Sequence, residues 1–332
     1  MDGYGCVLHS SMSMKLALEN VLHSIDGSIE AKIAGNLHSR VFCVRSGLFV
    51  VFDYSINPIN DTLLASSSQN KVTFTSDAQV GYLPEHCRYK RLVAIKMINA
   101  SILPKSLATK FLPRELLFTQ MVQHPHIARA LSIQIPHPTK IAIISEYYPG
   151  GTLLNLILKR GKIPEFPEAC RLFRQLTEAI HYLHDRGVVH RDIKAENVLL
   201  DANGDVKLID FGFARYIDRK ERSESFCGTK PYTAPEIVQH LPYDAYASDW
   251  YAMGVLLFTM LTGKWPNTSS NGVIFPKGIP SRAARALIIC LMNKDNRFRG
   301  NYDTILNSEW MRCYKKWVIT DQHFIYEVTC TN

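Results

Sequence analysis

The chain has 332 residues, a hydrophobic fraction of 46%, an aromatic fraction of 10% and a formal net charge of +8. That is enough apolar material for a sizeable core, and it excludes a collagen-like or wholly disordered chain. The basic residues are scattered, with only short clusters such as Arg88-Tyr89-Lys90-Arg91, so a nucleic-acid-binding stripe is not expected and the charge is left for solubility or for attracting an anionic ligand.

In chain order, residues 14–33 are expected to be helical, and residues 41–54 to form a strand pair or one buried strand containing Gly47. Residues 57–70 are rich in Ser and Asn and read as a linker. No catalytic constellation and no repeat falls in residues 1–71, for which partial disorder and a small packed appendage both stay open. From Val72 the pattern sharpens. Residues 72–80 and 92–98 alternate apolar and polar side chains as strands do. Residues 106–123 read as a helix carrying Glu115, its regular part beginning near Pro113, where a proline is tolerated. Residues 141–147 are a buried strand, broken by Gly150-Gly151. Over residues 166–184, Ala169, Leu172, Phe173, Leu176, Ile180 and Leu183 recur at intervals of three and four, defining one helix face that Gly187 ends. Residues 198–200 and 206–209 are short strands around Asn203-Gly204. Residues 248–261 form a strongly apolar helix closed by Gly263, and residues 283–292 another. Strands thus dominate before about residue 148 and helices after it. The fold class is α+β, with a small antiparallel β-rich lobe that keeps one key helix and a larger, mainly α-helical lobe.

The chemistry-bearing residues cluster. His190-Arg191-Asp192-Ile193-Lys194-Ala195-Glu196-Asn197 puts a carboxylate, a cation two residues on and an amide five residues on into one short run, and Asp210-Phe211-Gly212 follows. Asp192 can accept a hydroxyl proton, Lys194 can steady a transferring phosphoryl group, and Asn197 with Asp210 offers hard oxygen ligands to a hard cation such as Mg²⁺. His190 and Phe211 read as packing residues. Upstream, Val93-Ala94-Ile95-Lys96 ends an apolar strand on a lysine, which needs a charge partner when buried. Glu115 in the next helix can supply it. Cys227-Gly228-Thr229 and Ala234-Pro235-Glu236 close the segment after Asp210. Ser225 within it is a candidate phosphorylation site, because a phosphate there could pair with Arg191. Glu236 and Arg299 read as a buried scaffold ion pair.

Together these motifs resemble the eukaryotic protein kinase family over about residues 72–310. Lys194 two residues after Asp192, with Thr229 beyond, resembles the serine/threonine branch. Phe111-Leu112-Pro113-Arg114-Glu115, Leu172-Phe173-Arg174-Gln175-Leu176, Asp210-Phe211-Gly212-Phe213-Ala214 and Phe226-Cys227-Gly228 are similar to the testis-specific serine/threonine kinases, of the calcium/calmodulin-dependent and AMP-kinase-related group. The resemblance implies ATP and Mg²⁺ as cofactors and transfer of the γ-phosphate to Ser/Thr hydroxyls of protein substrates. It implies Asp192 and Lys194 as catalytic residues, Lys96, Glu115, Val80, Ala94, Glu146, Tyr148 and Leu200 around the nucleotide, and Asn197 and Asp210 on the metal. Ser145 aligns with the gatekeeper before the hinge residues Glu146, Tyr147 and Tyr148. Glu196 lies where related kinases meet a basic residue upstream of the target. The implied domain plan is an extension over 1–71, a kinase domain over 72–312 and a tail over 313–332.

Three departures from the family pattern stand out. Aligned back from Lys96, the glycine-rich loop falls on Thr73, Thr75 and Ala78, ahead of Val80, and side chains there should weaken ATP binding. A pseudokinase acting as a nucleotide-binding or scaffold module is therefore the alternative. The position that would present an acid to the ribose is Thr152. The stretch 263–275 is too short for a further family helix, which is expected to leave part of the larger lobe uncovered. The eight cysteines show no C-x-x-C pair, and no apolar signal segment opens the chain. A cytoplasmic monomer with reduced thiols, bound to neither membrane nor nucleic acid, is expected.

Overall fold

A computed structural model describes residues 27–35, 39–46, 91–105, 107–269 and 272–314. The chain divides into two compact units, one built from residues up to Leu103 together with Ala130–Tyr147, the other from Pro104–Arg129 and the chain from Tyr148 onward.

The first unit is an antiparallel sheet of five strands, β1 (Gly27–Gly35), β2 (Ser39–Ser46), β3 (Arg91–Asn99), β4 (Ala130–His137) and β5 (Lys140–Glu146), in the order β1-β2-β3-β5-β4. Along β3 the side chains alternate as a pleated strand requires. Val93, Ile95 and Met97 are fully buried, while Ala94 and Lys96 are only partly covered. Lys96 stands mid-strand, opposite Val41 in β2 and Ile143 in β5.

This sheet corrects one expectation. Residues 27–33 are strand, not the end of a helix, because Gly27–Gly35 pairs along its length with β2. Of residues 41–54 only the part up to Ser46 is described, and it is the single strand β2. Residues 72–80, also expected to be a strand, lie outside the described residues. A strand has two hydrogen-bonding edges, and those of β3 are filled by β2 and β5. The sheet draws β1 and β2 from residues 27–46, within the stretch expected as an extension.

The second unit is helical. Its first helix, α1 (Leu112–Met121), has Pro113 in its first turn and packs Phe118 on Tyr216 with ring centroids 5.1 Å apart. Just before it, Phe111 meets Phe213 edge-on at 5.0 Å. Helix α2 (Leu153–Arg160) is N-capped by Thr152, whose hydroxyl accepts the Asn155 N–H. Helix α3 (Cys170–Asp185) buries the face read from the sequence, with Leu172, Phe173, Leu176, Ile180 and Leu183 all inaccessible. It starts later than expected because Phe166 has an extended backbone.

Strand pairs β6 (Val188–Val189) with β9 (Arg215–Tyr216), and β7 (Val198–Leu200) with β8 (Val206–Leu208), frame the loops that follow α3. After α4 (Pro235–Val238) comes α5 (Ala245–Thr262), capped by the Asp244 carboxylate and closed at Gly263 with φ 68°. A Cβ on Gly263 would lie 1.6 Å from the Gly161 carbonyl oxygen, so only glycine fits.

Almost every residue of α5 is buried, including Leu261 near its end. The shortened stretch after it forms a hairpin, β10 (Asn267–Ser269) with β11 (Gly272–Ile274), and Phe275 packs back on Phe258 at 5.6 Å. Helix α5 is thus covered, while Trp265 and Ile274 in the shortened stretch stay exposed, at 43% and 51%. Helices α6 (Arg282–Leu291) and α7 (Tyr302–Leu306) complete the described unit. Arg299 and Glu236 form the expected ion pair as a two-pronged contact of 2.6 and 3.0 Å, with the Arg299 side chain wholly buried. Breaking such a pair costs about 3–5 kcal/mol.

Candidate active site

The run 190–197 is held from below by Asp249, in the second turn of α5. Its Oδ2 accepts the His190 N–H at 2.9 Å and its Oδ1 the Arg191 N–H at 2.8 Å, while His184 Nε2 lies 2.9 Å from Oδ2. Asp249 is fully buried, which alone would raise its pKa. The His184 hydrogen bond and the nearby histidines outweigh burial and hold the carboxyl below its ordinary value. Arg191 takes φ 65°, a left-handed conformation that costs a non-glycine residue energy and persists because both backbone ends are pinned.

That pinning sets Asp192. Its side chain is 2% exposed. Oδ2 receives Lys194 Nζ at 2.6 Å and Asn197 Nδ2 at 3.0 Å, and Oδ1 receives the Thr229 hydroxyl at 2.8 Å. Thr229 Oγ1 in turn accepts from Lys194 Nζ at 3.0 Å. Base, cation and hydroxyl thus form a closed ring, so the carboxylate cannot rotate freely. His190 is scaffold as expected, since Nδ1 accepts the Asp192 N–H and Nε2 faces the Ile209 carbonyl at 3.2 Å.

Asn197 spends its amide N–H groups on Asp192, its second bond being to the Asp192 carbonyl at 2.9 Å. Among the described residues its amide oxygen accepts no hydrogen bond. The Asn197 carbonyl binds the Ile209 N–H at 2.9 Å, which brings the next residue, Asp210, to the same end of the loop. Asp210 also has a left-handed backbone, φ 67°, and its Oδ1 accepts the Gly212 N–H at 3.3 Å. An amide oxygen and a carboxylate are suitable donors for Mg²⁺, which takes its remaining ligands from water and phosphate. Among the described residues no group of three His, Cys, Asp or Glu side chains could hold a metal by itself.

The nucleotide residues expected from the sequence divide between the units. Lys96, Ala94 and Glu146 lie in the sheet, with Ala94 opposite Ser145, whose hydroxyl donates to the Ala94 carbonyl at 3.4 Å. Glu115, Tyr148 and Leu200 lie in the second unit. A Cβ on Gly212 would be 3.9 Å from Glu115 Oε2, so Glu115 comes close to the Asp210-Phe211-Gly212 segment. Tyr148 is buried, and its hydroxyl accepts the Arg129 N–H at 3.2 Å. Leu200 is tied to the glycine pair by two backbone bonds of 2.9 Å, Gly150 N–H to Leu200 O and Leu200 N–H to Gly151 O. Val80 lies outside the described residues, as do Thr73, Thr75 and Ala78.

Sequence reading missed two parts of the site. Asp249 was visible only as an acid in an apolar helix, a burial signal that asks for partners. Tyr232 was not singled out. Its hydroxyl accepts the Ala195 N–H at 3.0 Å and lies 3.5 Å from Glu196 Oε2, fixing the segment after Thr229 to the catalytic loop.

The protein kinase domain family matches residues 78–311. The chain belongs to the protein kinase family. Testis-specific serine/threonine-protein kinase 3 of Mus musculus is 35% identical over 237 residues, covering 68% of this chain and 88% of that protein. Testis-specific serine/threonine-protein kinase 1 of the same species is 36% identical over 242 residues, 68% and 66% of the two chains. CBL-interacting protein kinase 31 of Oryza sativa subsp. japonica is 31% identical over 245 residues, 70% and 54%. The kinase is of the ATP-dependent protein serine/threonine type, with the two-part fold of a β-sheet unit and a helical unit. Nothing in these comparisons supports the scaffold alternative, which rested on Thr73, Thr75 and Ala78 in place of glycines, outside the described residues, and on the short stretch 263–275.

Proposed function

We propose that this kinase phosphorylates protein substrates with Asp192 as the base, Lys194 on the transferring group, and Asn197 and Asp210 as metal ligands. The observation that carries this reading is the closed ring of Asp192, Lys194 and Thr229. The acceptor oxygen attacks the γ-phosphorus, the bond to the β,γ-bridging oxygen breaks, ADP leaves, and the acceptor proton passes to Asp192. The ring fixes the accepting oxygens before substrate arrives, so little reorganisation remains for the transition state. Lys194, already 2.6 Å from Asp192, places a positive charge beside the acceptor hydroxyl. Magnesium, when bound, neutralises charge on the phosphates. Asn197 and Asp210 would hold it, and Lys96 would hold the α- and β-phosphates.

Regulation through Ser225 fits the same unit. Arg191 donates through Nε to the Phe213 carbonyl at 2.8 Å, yet both of its buried terminal nitrogens have no hydrogen-bond partner. Burial, and then the guanidinium groups of Arg191 and Arg215, hold the Arg114 pKa below its ordinary value. Arg191 thus keeps unspent donors in a surrounding of positive charge that favours a phosphate dianion, although Arg215 is itself paired with Glu221 at 2.8 Å. Ser223 is wholly buried and exchanges both backbone bonds with Tyr243, which leaves Ser225 as the accessible hydroxyl.

The partners proposed are proteins with a basic residue upstream of the acceptor, read by Glu196, and the setting proposed is a cytoplasmic monomer. The test is γ-phosphate transfer to a generic protein substrate. Transfer should fall by about 10²–10⁴-fold in Asp192→Asn with its melting temperature retained. Equal transfer by both proteins would overturn the assignment.

A further inference from the structure

The segment 122–128, which follows α1, grips the strand that leads to Asp210. The Leu208 N–H donates to the His126 carbonyl and the Ala128 N–H to the Leu208 carbonyl, both at 2.9 Å. Lys207 Nζ donates to the Pro125 carbonyl at 2.7 Å. Strand β8 is therefore held by β7 and also by this segment, and Asp210 stands two residues beyond its end. The segment is closed by a turn in which the Ile127 N–H donates to the His124 carbonyl at 3.1 Å, and two histidines, His124 and His126, form that turn.

Both rings suit this arrangement only when neutral. His124 Nδ1 accepts the His126 backbone N–H at 3.1 Å, so that nitrogen carries no proton while the turn is closed. His126 Nδ1 is buried and has no hydrogen-bond partner among the described residues. The rings meet edge-on with centroids 5.6 Å apart, where two positive charges would repel. From α3, Glu178 Oε2 lies 3.9 Å from His126 Nε2, but Glu178 is already paired with Arg174 at 3.0 Å. Tyr182 of the same helix packs on His124 at 5.0 Å and carries Arg186 over its other contacts, 3.7 Å from the ring centre. From the β7–β8 side come Lys207 and Asp205, the latter taken up by Arg171 and by Gln175 at 2.7 Å. Burial lowers the pKa of both histidines. At His126, Lys207 adds to burial against Glu178, the Val206 carbonyl and Asp205. At His124, His126, Arg186 and Lys207 add to it against Glu178.

We propose that His124 and His126 are a proton sensor of this kinase. With both rings neutral the segment grips β8; a proton on either ring loosens the grip and with it the position of Asp210, so that phosphoryl transfer falls reversibly in mild acid. The link to activity rests on the assignment of Asp210 to the metal, whereas the grip itself does not. The closed form takes up a proton less readily than the open one. The grip is therefore complete above the ordinary histidine value, about 6.5, and weakens as pH falls below it.

Hydrogen exchange of the full chain, followed at the Leu208 and Ala128 amides and corrected for the intrinsic rate, reads the grip directly. Between pH 7.5 and about pH 5.5 their protection should fall about fivefold or more in wild type. In the double variant His124→Asn with His126→Asn it should change by less than about twofold, because an Asn at 124 still accepts the N–H two residues on but does not titrate. Glu178→Gln removes the carboxylate that offsets charge on the rings and should deepen the wild-type fall. Across the same range kcat for peptide phosphorylation should drop about fivefold further in wild type than in the double variant. A fall of equal size in both proteins, in exchange or in kcat, overturns the proposal, as does the absence of a fall in wild type. If the double variant does not fold, Glu178→Gln carries the test, and a fall no deeper than in wild type counts against the histidines. If no peptide is phosphorylated at any pH, the catalytic assignment fails separately and exchange alone decides the sensor.

Discussion

Thr229 and Asp192 share a 2.8 Å hydrogen bond across 37 positions of sequence. Because Thr229 also accepts from Lys194, its hydroxyl is the hinge of the ring that orients the base. Thr229→Val removes the hydroxyl while nearly preserving shape. Its kcat should fall by about 10–100-fold with ATP binding retained, whereas Thr229→Ser should recover most of the loss. Steady-state kinetics with ATP and peptide varied in turn check this. A Thr229→Val enzyme with wild-type kcat would show that Asp192 needs no such hold.

Asp249 makes the catalytic loop sensitive to acid. Its carboxyl lies below the ordinary value in the folded protein, so its contribution to stability is fully present above the unfolded carboxylate range. The contribution is lost as pH falls through the unfolded pKa, about 4, toward the lower folded one. Asp249→Asn should therefore cost roughly 3 kcal/mol at pH 7 and less at pH 3, where the unfolded chain's carboxyl is protonated. Urea unfolding at the two pH values measures the difference. A cost that does not shrink in acid would contradict the sign.

The strand order predicts the outcome of truncation. Removing residues 1–71 takes away β1 and β2 and leaves β3 as a bare edge. The shortened protein should aggregate and lose the thermal shift that ATP with Mg²⁺ gives the full chain. Light scattering and a melting curve decide it. A soluble truncated protein with an undiminished shift would show that the hairpin is dispensable.

Phosphate on Ser225 should find the unspent donors of Arg191. Treatment with an upstream kinase, or self-phosphorylation verified by mass spectrometry, should raise activity by about tenfold or more in wild type. The gain should be absent in Ser225→Ala and strongly reduced in Arg191→Ala, while Ser223→Ala is expected to lose stability through its buried site. A full gain in Arg191→Ala would remove the arginine from the account.

The helical unit was legible because its signals are local. The three-and-four spacing from Ala169 to Leu183 and the Gly263 end of α5 specify themselves within a few residues, whereas the helix was expected from residue 248 and its Asp244 cap was not read. The catalytic run was equally plain, as each of its residues is needed at a fixed spacing for the reaction. The sheet was not, because pairing is a long-range choice. Residues 41–54 read as strand, and nothing within them says that Val41 lies opposite Lys96. The same reason hid the hold of Asp249 on the catalytic loop and of Tyr232 on Ala195, whose partners lie far off in sequence.

That long-range choice has a kinetic side. Strand β2 ends at Ser46 and β3 begins at Arg91, so their pairing closes a stretch of chain more than four doublings longer than the tight turn between β4 and β5. Each doubling costs about 0.6 kcal/mol of closure entropy, roughly 3 kcal/mol in all, before any contact forms. Local pairs such as β4 with β5 and β7 with β8 carry no such delay, so the Gly27–Ser46 hairpin should be the last strand pair to add during refolding. A protein whose sheet is completed by a late, separately folded hairpin is open to reconstitution from two pieces, one ending shortly after Ser46 and the other beginning shortly before Arg91.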